Sequence, residues 1–142
     1  MENVAKILKD NVVVDAHFDL LCDVLRQRQQ GRKKVIETDY LQSFISGGVN
    51  IVVSSLYVED EYLPEMALRK VLDQVSSLYA EVDESAEKVM LCKDVHDINE
   101  AIDSGKLGIM LSFEGVEPLY NDLSLLRVFY ELGVRIVGLV WS

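Results

Sequence analysis

Residues 12–21, VVVDAHFDLL, place three side chains capable of chemistry within or directly after an apolar run. Asp15, His17 and Asp19 alternate there, and residues two apart on a strand point to the same side. If the strand extends that far, His17 and Asp19 project together and their nitrogen and oxygen atoms could bind one metal ion. The spacing is a weak signal by itself, because a histidine beside acids can equally be a hydrogen-bonded structural residue.

A further acidic residue follows another apolar run, in LGIMLSFEGVEPL, residues 107–119. Glu114 comes after Leu107–Phe113, which carries no charge, and Gly115 lets the backbone turn sharply there. A buried, unpaired carboxylate is costly, and a nearby cation would relieve that cost. The alternative is a glutamate that caps a helix or lies in a loop, exposed to water.

His17, Asp19 and Glu114 would lie at the same end of a sheet if their strands are parallel. Imidazole and carboxylate ligands without a thiolate suit zinc, manganese or iron in a hydrolytic site. A carboxylate between two metal ions about 3.5–4 Å apart would suit a pair of ions that activates water. The joint arrangement therefore predicts a metal site.

The other reactive side chains predict less. His96, in KDVHDINEA, falls on a polar helix face and is expected at the surface, and Cys22 is expected to be a small core residue. Cys22 and Cys92 are interpreted as free thiols in a reducing, cytoplasmic compartment. The sequence contains no GxGxxG, Walker A or GxSxG motif, so dinucleotide, P-loop and serine hydrolase chemistry lack support.

Alternating apolar runs and helical segments predict the elements that position these residues. Helices are expected over residues 20–25, 39–45 (capped by Asp39), 64–82, 94–105 (capped by Asp94) and 123–132. The four expected strands are Val12–Ala16, Ile51–Val58, Leu107–Phe113 and Val134–Trp141. This alternation implies a parallel sheet, either open and covered on both faces or closed into a barrel. Both architectures bind ligands at the carboxyl ends of strands.

The amino-acid composition limits the classes of binding partner that can be expected. The 142 residues have a net charge of −10 and an apolar fraction of 49 %, which is typical of a folded domain. The acidic balance disfavours nucleic acid and anionic membranes as partners. The N-terminus does not resemble a secretory signal, and no apolar run reaches the roughly 20 residues of a membrane helix.

Three ordered blocks resemble the membrane (renal) dipeptidase family, the M19 peptidases among the amidohydrolase-like barrels. DAHFDLLCDVL resembles the opening D-x-H-x-D-L segment of that family, and SGGVNIVVSSLYV resembles its second strand. The most specific block, SFEGVEPLYNDLSLLRVFYELGVRIVGLVWS, resembles its Glu-Gly pair, the following helix and the fourth strand. The resemblance spans essentially all 142 residues.

The resemblance implies a (β/α)₈ TIM barrel of the metal-dependent hydrolase type with two zinc ions. It implies that His17 and Asp19 bind one ion, that Glu114 bridges both, and that a metal-activated water hydrolyses a dipeptide substrate. Manganese or iron could replace zinc. No residue of this chain is assigned a further catalytic role.

The chain also departs from the family. A full barrel needs roughly 250 residues, and the family's two later histidine ligands and its proton-transfer aspartate lie beyond the fourth strand. Residues 1–142 are therefore interpreted as the N-terminal half of one barrel domain, inactive alone, that forms a homo-oligomer or binds the missing C-terminal half. The alternatives are a non-catalytic oligomeric half-barrel and a metallohydrolase of the same fold acting on another amide, such as an N-acyl amino acid.

Overall fold

Five parallel strands form one sheet in the computed structural model, which describes residues 2–141. Helices alternate with the strands, which confirms the predicted parallel α/β fold. None of the helices in the described residues is both long enough and apolar enough to span a membrane. The elements in chain order are α1 (Glu2–Asp10), β1 (Val14–Phe18), α2 (Leu20–Gln29), α3 (Leu41–Ser46), β2 (Ile51–Leu56), α4 (Ala67–Glu84), β3 (Val89–Leu91), α5 (Val95–Ser104), β4 (Leu107–Glu114), α6 (Ser124–Leu132) and β5 (Val134–Gly138).

The four predicted strands are present with shifted ends, as β1, β2, β4 and β5. The three-residue strand β3 was not predicted, since three residues are too few to give a period-two pattern. Helix α1 was not predicted either. The expected helix end at Gly105 is confirmed, and Gly133 directly follows the helix predicted to end at residue 132, because both glycines have the left-handed backbone, with φ of 69° and 112°.

The two predicted helix caps differ in outcome. The Asp94 side chain accepts a hydrogen bond from the Asp97 backbone nitrogen and caps α5 as expected. The cap predicted at Asp39 is wrong, because Asp39 lies inside a short π-helix, Ile36–Tyr40, that precedes α3. Its carboxylate accepts two hydrogen bonds from the Arg32 guanidinium, at 2.6 and 2.7 Å, and does not bond a helix amide.

The sheet order places β2 between β1 and β4. Strand β3 pairs with the first half of β4, and β5 pairs with its second half. On the face that we call outer, Val52 and Ile109 join the main core with residues of α2, α4 and α6. The opposite, inner face carries Ile51, Ser55 and Glu114, because successive strand residues point to opposite sides.

Helix α5 packs on the inner face, unlike α2, α4 and α6. Helix α4 connects β2 to β3, which lies beyond β4 in the sheet, and α5 connects β3 back to β4. The two connections run in opposite directions across the sheet. Because such crossovers are right-handed, α4 and α5 lie on opposite faces. Ala101 of α5 packs against Ile51 and Cys92. A Cβ at Gly108 would lie 2.9 Å from Cys92 Sγ and 3.2 Å from Ala101 Cβ, so glycine permits this close approach. Helix α5 thus covers the amino end of the inner face and leaves its carboxyl end open.

Candidate metal centre

Strand β1 changes register just before it ends. Asp15 lies opposite Val52 and Phe18 opposite Ser54, so β1 has one residue more than β2 in this interval. Such an irregularity redirects the side chains around it. Phe18 packs on the outer face with its ring centroid 5.2 Å from that of Phe44, while His17 lies against inner-face residues.

The side chains of Asp15, His17 and Asp19 therefore do not all point to one place. The Asp15 carboxylate accepts a hydrogen bond from the His17 backbone nitrogen at 3.2 Å. His17 and Asp19 do come together, with 3.5 Å between His17 Nε2 and Asp19 Oδ1. Asp15 holds the backbone of the motif, and the other two residues face the site.

Asp19 occupies the N-cap position of α2 without capping it. An aspartate at this position ordinarily accepts a hydrogen bond from an amide of the first helical turn. No such side-chain bond forms here, and the carboxylate faces His17. The Asp19 side chain is thereby free to serve a site.

Glu114 is the last residue of β4 and points to the same place. Gly115 directly after it has φ of 93°, which confirms the expected sharp turn. Glu114 Oε2 lies 3.3 Å from His17 Nε2, yet it is buried and has no partner of hydrogen-bond geometry. One ligand atom each from His17, Asp19 and Glu114 lie within 4.8 Å of one another, so the structure brings all three predicted residues together.

The cluster has an excess of negative charge. Burial raises the pKa of Glu114 above its ordinary value, the nearby Asp19 carboxylate raises it further, and His17 opposes the shift. Among residues 2–141, these two carboxylates form ion pairs only with His17. The site thus holds two acids beside one imidazole, without a lysine or arginine to balance them.

The spacing of the donor atoms fits a divalent metal ion. Two donors each about 2.1 Å from a tetrahedral zinc ion lie about 3.4 Å apart. The distances from His17 Nε2 to the two carboxylates are 3.3 and 3.5 Å. An uncompensated nitrogen and oxygen donor set with this spacing suits zinc, manganese or iron.

A cleft of about 330 Å³ adjoins the cluster, within the size range of small-molecule sites. His17, Ser112 and Glu114 line one part of it, and Trp141 lines another. The Trp141 ring packs edge-on against Tyr57, with 5.3 Å between ring centroids. The cluster is therefore accessible to a small ligand from the carboxyl end of the sheet.

His96 lies outside this site, at the start of α5. Its side chain is 84 % exposed, which confirms its predicted surface position. His96 also lies near two acids, Asp94 and Asp97, but both carboxylates accept backbone hydrogen bonds at the helix start. The acids of this second cluster stabilise the helix end.

The cysteines are both free, as predicted. Cys22 Sγ lies 3.6 Å from the Tyr57 carbonyl oxygen. Burial raises the pKa of the Cys22 thiol to about 11, and the Glu59 and Asp19 carboxylates add to the shift. Cys22 is therefore protonated at neutral pH, which disfavours a role as a nucleophile.

A parallel α/β sheet with a histidine and two carboxylates at the carboxyl ends of its strands is typical of metal-dependent hydrolase barrels. The family model for membrane dipeptidase (peptidase family M19) matches residues 1–142, and the chain belongs to this family. The predicted family and fold are thereby confirmed.

Two curated relatives show the extent of the match. Dipeptidase 3 of Macaca fascicularis is 30 % identical over 146 residues, which cover 96 % of this chain and 28 % of the relative. Dipeptidase tcpJ of Claviceps purpurea (strain 20.1) is 25 % identical over 135 residues, which cover 89 % of this chain and 31 % of the relative. The chain spans less than a third of these relatives.

Solved structures share the fold. A metallopeptidase from Rhodobacter sphaeroides, liganded with a phosphinate mimic of the dipeptide L-Ala-D-Ala, has a TM-score of 0.81 at 21 % identity. The dipeptidase AC of family M19 has a TM-score of 0.80 at 23 % identity. Each match covers 92 % of this chain, and 46 % and 43 % of those chains, respectively.

Sequence reasoning missed one residue of the site. Ser55 Oγ lies 3.1 Å from His17 Nδ1. Ser55 belongs to IVVSSL, where two small hydroxyls within an apolar strand give no pattern that separates one from the other. Only the sheet register shows which of the two serines reaches the histidine.

Proposed function

We propose that this chain supplies the N-terminal half of a metal-dependent dipeptidase, with His17, Asp19 and Glu114 as metal ligands. The observation that carries the proposal is Glu114 Oε2, which is buried without a hydrogen-bond partner beside the His17 imidazole and the Asp19 carboxylate. Leaving a buried carboxylate oxygen without a partner is costly unless a cation binds there. Membership of the M19 family and the dipeptidase relatives support a dipeptide as the substrate.

The proposed cofactor is zinc, as two ions that Glu114 would bridge, with manganese or iron as alternatives. When bound, the metal supplies a Lewis acid that polarises a carbonyl group and lowers the pKa of water. His17 contributes a nitrogen donor, and Asp19 contributes a carboxylate oxygen. Glu114 has two carboxylate oxygens at the end of β4, which is the requirement for a residue that bridges two ions.

Residues 1–142 are proposed to form the first half of one barrel domain. Two ions need more ligands than these three residues offer, and proton transfer needs a further group. We therefore expect the isolated chain to bind metal weakly and to hydrolyse no dipeptide. The two free cysteines support a reducing, cytoplasmic location as part of the same proposal.

The exposed apolar surface supports association with another chain or chain segment. Among the described residues, β1 pairs only with β2 and β5 only with β4, so each strand has an unpaired edge. Val14 of β1 and Ile136 of β5 are 50 % and 44 % exposed, and Leu139 and Val140 are more exposed still. Unpaired edges with apolar residues favour association. The proposed partner is a C-terminal barrel half or a second copy of this chain. If the partner is a second copy, the alternative function is that of a non-catalytic oligomeric half-barrel.

The test compares metal content and hydrolysis in four proteins: the wild type, His17→Ala, Glu114→Gln and His96→Ala. The protein that the gene encodes and the 142-residue chain are both loaded with Zn²⁺, and metal is measured by elemental analysis. Substrates are L,L- and L,D-dipeptides and N-acyl amino acids. In the longer protein we expect the first two variants to lose metal and dipeptide hydrolysis together, because each removes a ligand, and in the 142-residue chain we expect them to lose metal.

His96→Ala is the matched control, since it removes the other histidine that lies near two acids. It should keep the metal content and activity of the wild type. Unchanged metal in both His17→Ala and Glu114→Gln would contradict the assigned ligands. Hydrolysis of only N-acyl amino acids would replace the dipeptidase by the related amide hydrolase, and a metal-free, inactive oligomer would favour the half-barrel scaffold.

A further inference from the structure

Two adjacent serines of β2 have different environments. Ser54 and Ser55 are both fully buried, and their side chains point to opposite faces of the sheet. Ser54 Oγ has no hydrogen-bond partner. Ser55 Oγ lies 3.1 Å from His17 Nδ1, although the two residues are 38 positions apart in the chain.

The contact completes the set of polar partners around His17. The backbone nitrogen is bonded to Asp15, Nε2 faces Asp19 and Glu114, and Nδ1 faces Ser55. The His17 side chain is 57 % exposed, so packing alone does not fix its ring. Because Ser55 is buried in a central strand, its hydroxyl is the rigid partner that can hold the ring plane.

We propose that Ser55 is a positioning residue that sets the ring orientation and the proton position of His17 for metal binding. A nitrogen that binds a metal must present its lone pair, so the proton of a neutral imidazole must then lie on the other nitrogen. With a metal bound at Nε2, Nδ1 would carry that proton and donate a hydrogen bond to Ser55 Oγ. This inference rests on the proposed function, because it assigns Ser55 a role toward the same metal.

A hydroxyl group suits this position because it both donates and accepts. The Ser55 hydroxyl can therefore act as acceptor or as donor toward His17 Nδ1, whichever ring nitrogen carries the proton. If a metal bound Nε2, the proton would lie on Nδ1 and Ser55 would accept the hydrogen bond. Outer partners of metal-binding histidines act in this way in general, and their loss typically weakens metal affinity by about 10- to 100-fold.

The first measurement is Zn²⁺ affinity, by competition with a chromophoric chelator, for the wild-type chain, Ser55→Ala, Ser54→Ala and His17→Ala. We expect Ser55→Ala to bind Zn²⁺ about 10- to 100-fold more weakly. Ser54→Ala removes the same atom from the neighbouring buried position and should bind like the wild type. Thermal unfolding of both serine variants shows whether each remains folded.

The second measurement is the ¹⁵N chemical shifts of the histidine ring nitrogens in the metal-free and Zn²⁺-loaded proteins. Ser55→Ala should change the His17 Nδ1 signal and leave the His96 signal in place as an internal reference. Unaltered His17 signals and unaltered affinity in Ser55→Ala would overturn the role of Ser55. If His17→Ala also leaves affinity unchanged, the proposed metal site itself fails, so the two failures are distinguishable.

Discussion

Two of the acidic clusters in the described residues have opposite electrostatics. The metal-site cluster, His17, Asp19 and Glu114, lies at the carboxyl end of the sheet and has only an imidazole beside its two acids. The arginine cluster, Arg28, Glu81 and Glu84, lies between α2 and α4 and is organised around a guanidinium group. Both contain two carboxylates near one basic side chain, but only the second basic group is permanently charged.

In the arginine cluster every carboxylate oxygen of Glu81 and Glu84 has a hydrogen-bond partner. Arg28 donates to Glu81 and makes two hydrogen bonds with Glu84, at 2.9 and 3.0 Å. The second Glu81 oxygen accepts from the Ile36 backbone nitrogen at 2.8 Å, and Glu84 accepts from the Lys34 nitrogen at 3.0 Å. Arg28 holds the pKa of Glu84 down at about 2.

The difference separates acids that stabilise the fold from the acids that we propose to bind a metal. The fold supplies Glu84 with a counter-charge and lowers its pKa, whereas burial and a like charge raise the pKa of Glu114. A raised pKa in an open cleft marks a functional-site candidate, because such a charge arrangement costs stability. Loss of a charged side chain should therefore lower the free energy of unfolding in the arginine cluster and should not lower it in the metal-site cluster.

The largest effect is expected from Arg28→Met, which leaves the fully buried Glu81 carboxylate without its cation. Breaking a buried ion pair by removing one partner costs about 3–5 kcal/mol in the free energy of unfolding. Urea denaturation measures this loss. Arg26→Met on the same helix is the control, because Arg26 is 64 % exposed against 17 % for Arg28. Equal, small losses in both variants would remove the distinction between the clusters.

A smaller effect of opposite sign is expected when Zn²⁺ binds the metal-site cluster. At a free concentration of about 100 times its dissociation constant, a ligand that binds only the folded chain adds about 2.7 kcal/mol to the free energy of unfolding. The wild type should gain this stability, and Glu114→Gln should gain little. Without metal, Glu114→Gln should unfold no more easily than the wild type, because it removes a disfavoured charge.

Urea denaturation of the wild type and of Glu114→Gln, each with and without Zn²⁺, measures both expected effects. Stabilisation of Glu114→Gln by Zn²⁺ to the wild-type extent would show that the ion binds elsewhere. A large loss of stability in metal-free Glu114→Gln would make Glu114 a structural acid, like those of the arginine cluster.

The smallest effect is the acid sensitivity contributed by Glu84. Its pKa in the folded chain is about 2, below the ordinary value of 4.5, so the folded state binds the proton more weakly than the unfolded state. Its contribution is present above pH 4.5 and is lost as the pH falls toward 2. We expect about 1 kcal/mol after allowance for solvent screening. Urea denaturation of Glu84→Gln and of the exposed Glu87→Gln at several pH values in this range tests the prediction. If the free energy of unfolding changes equally with pH in the two variants, the prediction is wrong.

The sequence predicted the parts of the fold and site that depend on local pattern. The polar residues that follow two apolar runs indicated His17, Asp19 and Glu114 together, and the structure brings these three residues together. Asp94 and Gly105 were predictable because a helix cap depends only on neighbouring residues. The family resemblance supplied the barrel, which periodicity alone left open.

The remaining features depend on contacts between distant segments. The register shift in β1, which separates Asp15 from His17, depends on its pairing with β2. Ser55 and Ser54 are equivalent in the sequence and differ only through that register. Asp39 was expected to cap a helix, but the Arg32 guanidinium binds its carboxylate instead, and tertiary pairing overrode a local preference.

Helix α5 is expected to dock early in folding. Ala101 lies against Gly108 and Ile51, on the inner face of the sheet. Only Gly105 and Lys106 separate α5 from β4, so the contacts between these two elements are local in the sequence and cost little loop closure. In the proposed barrel, α5 would close the amino end, opposite the end that carries His17, Asp19 and Glu114.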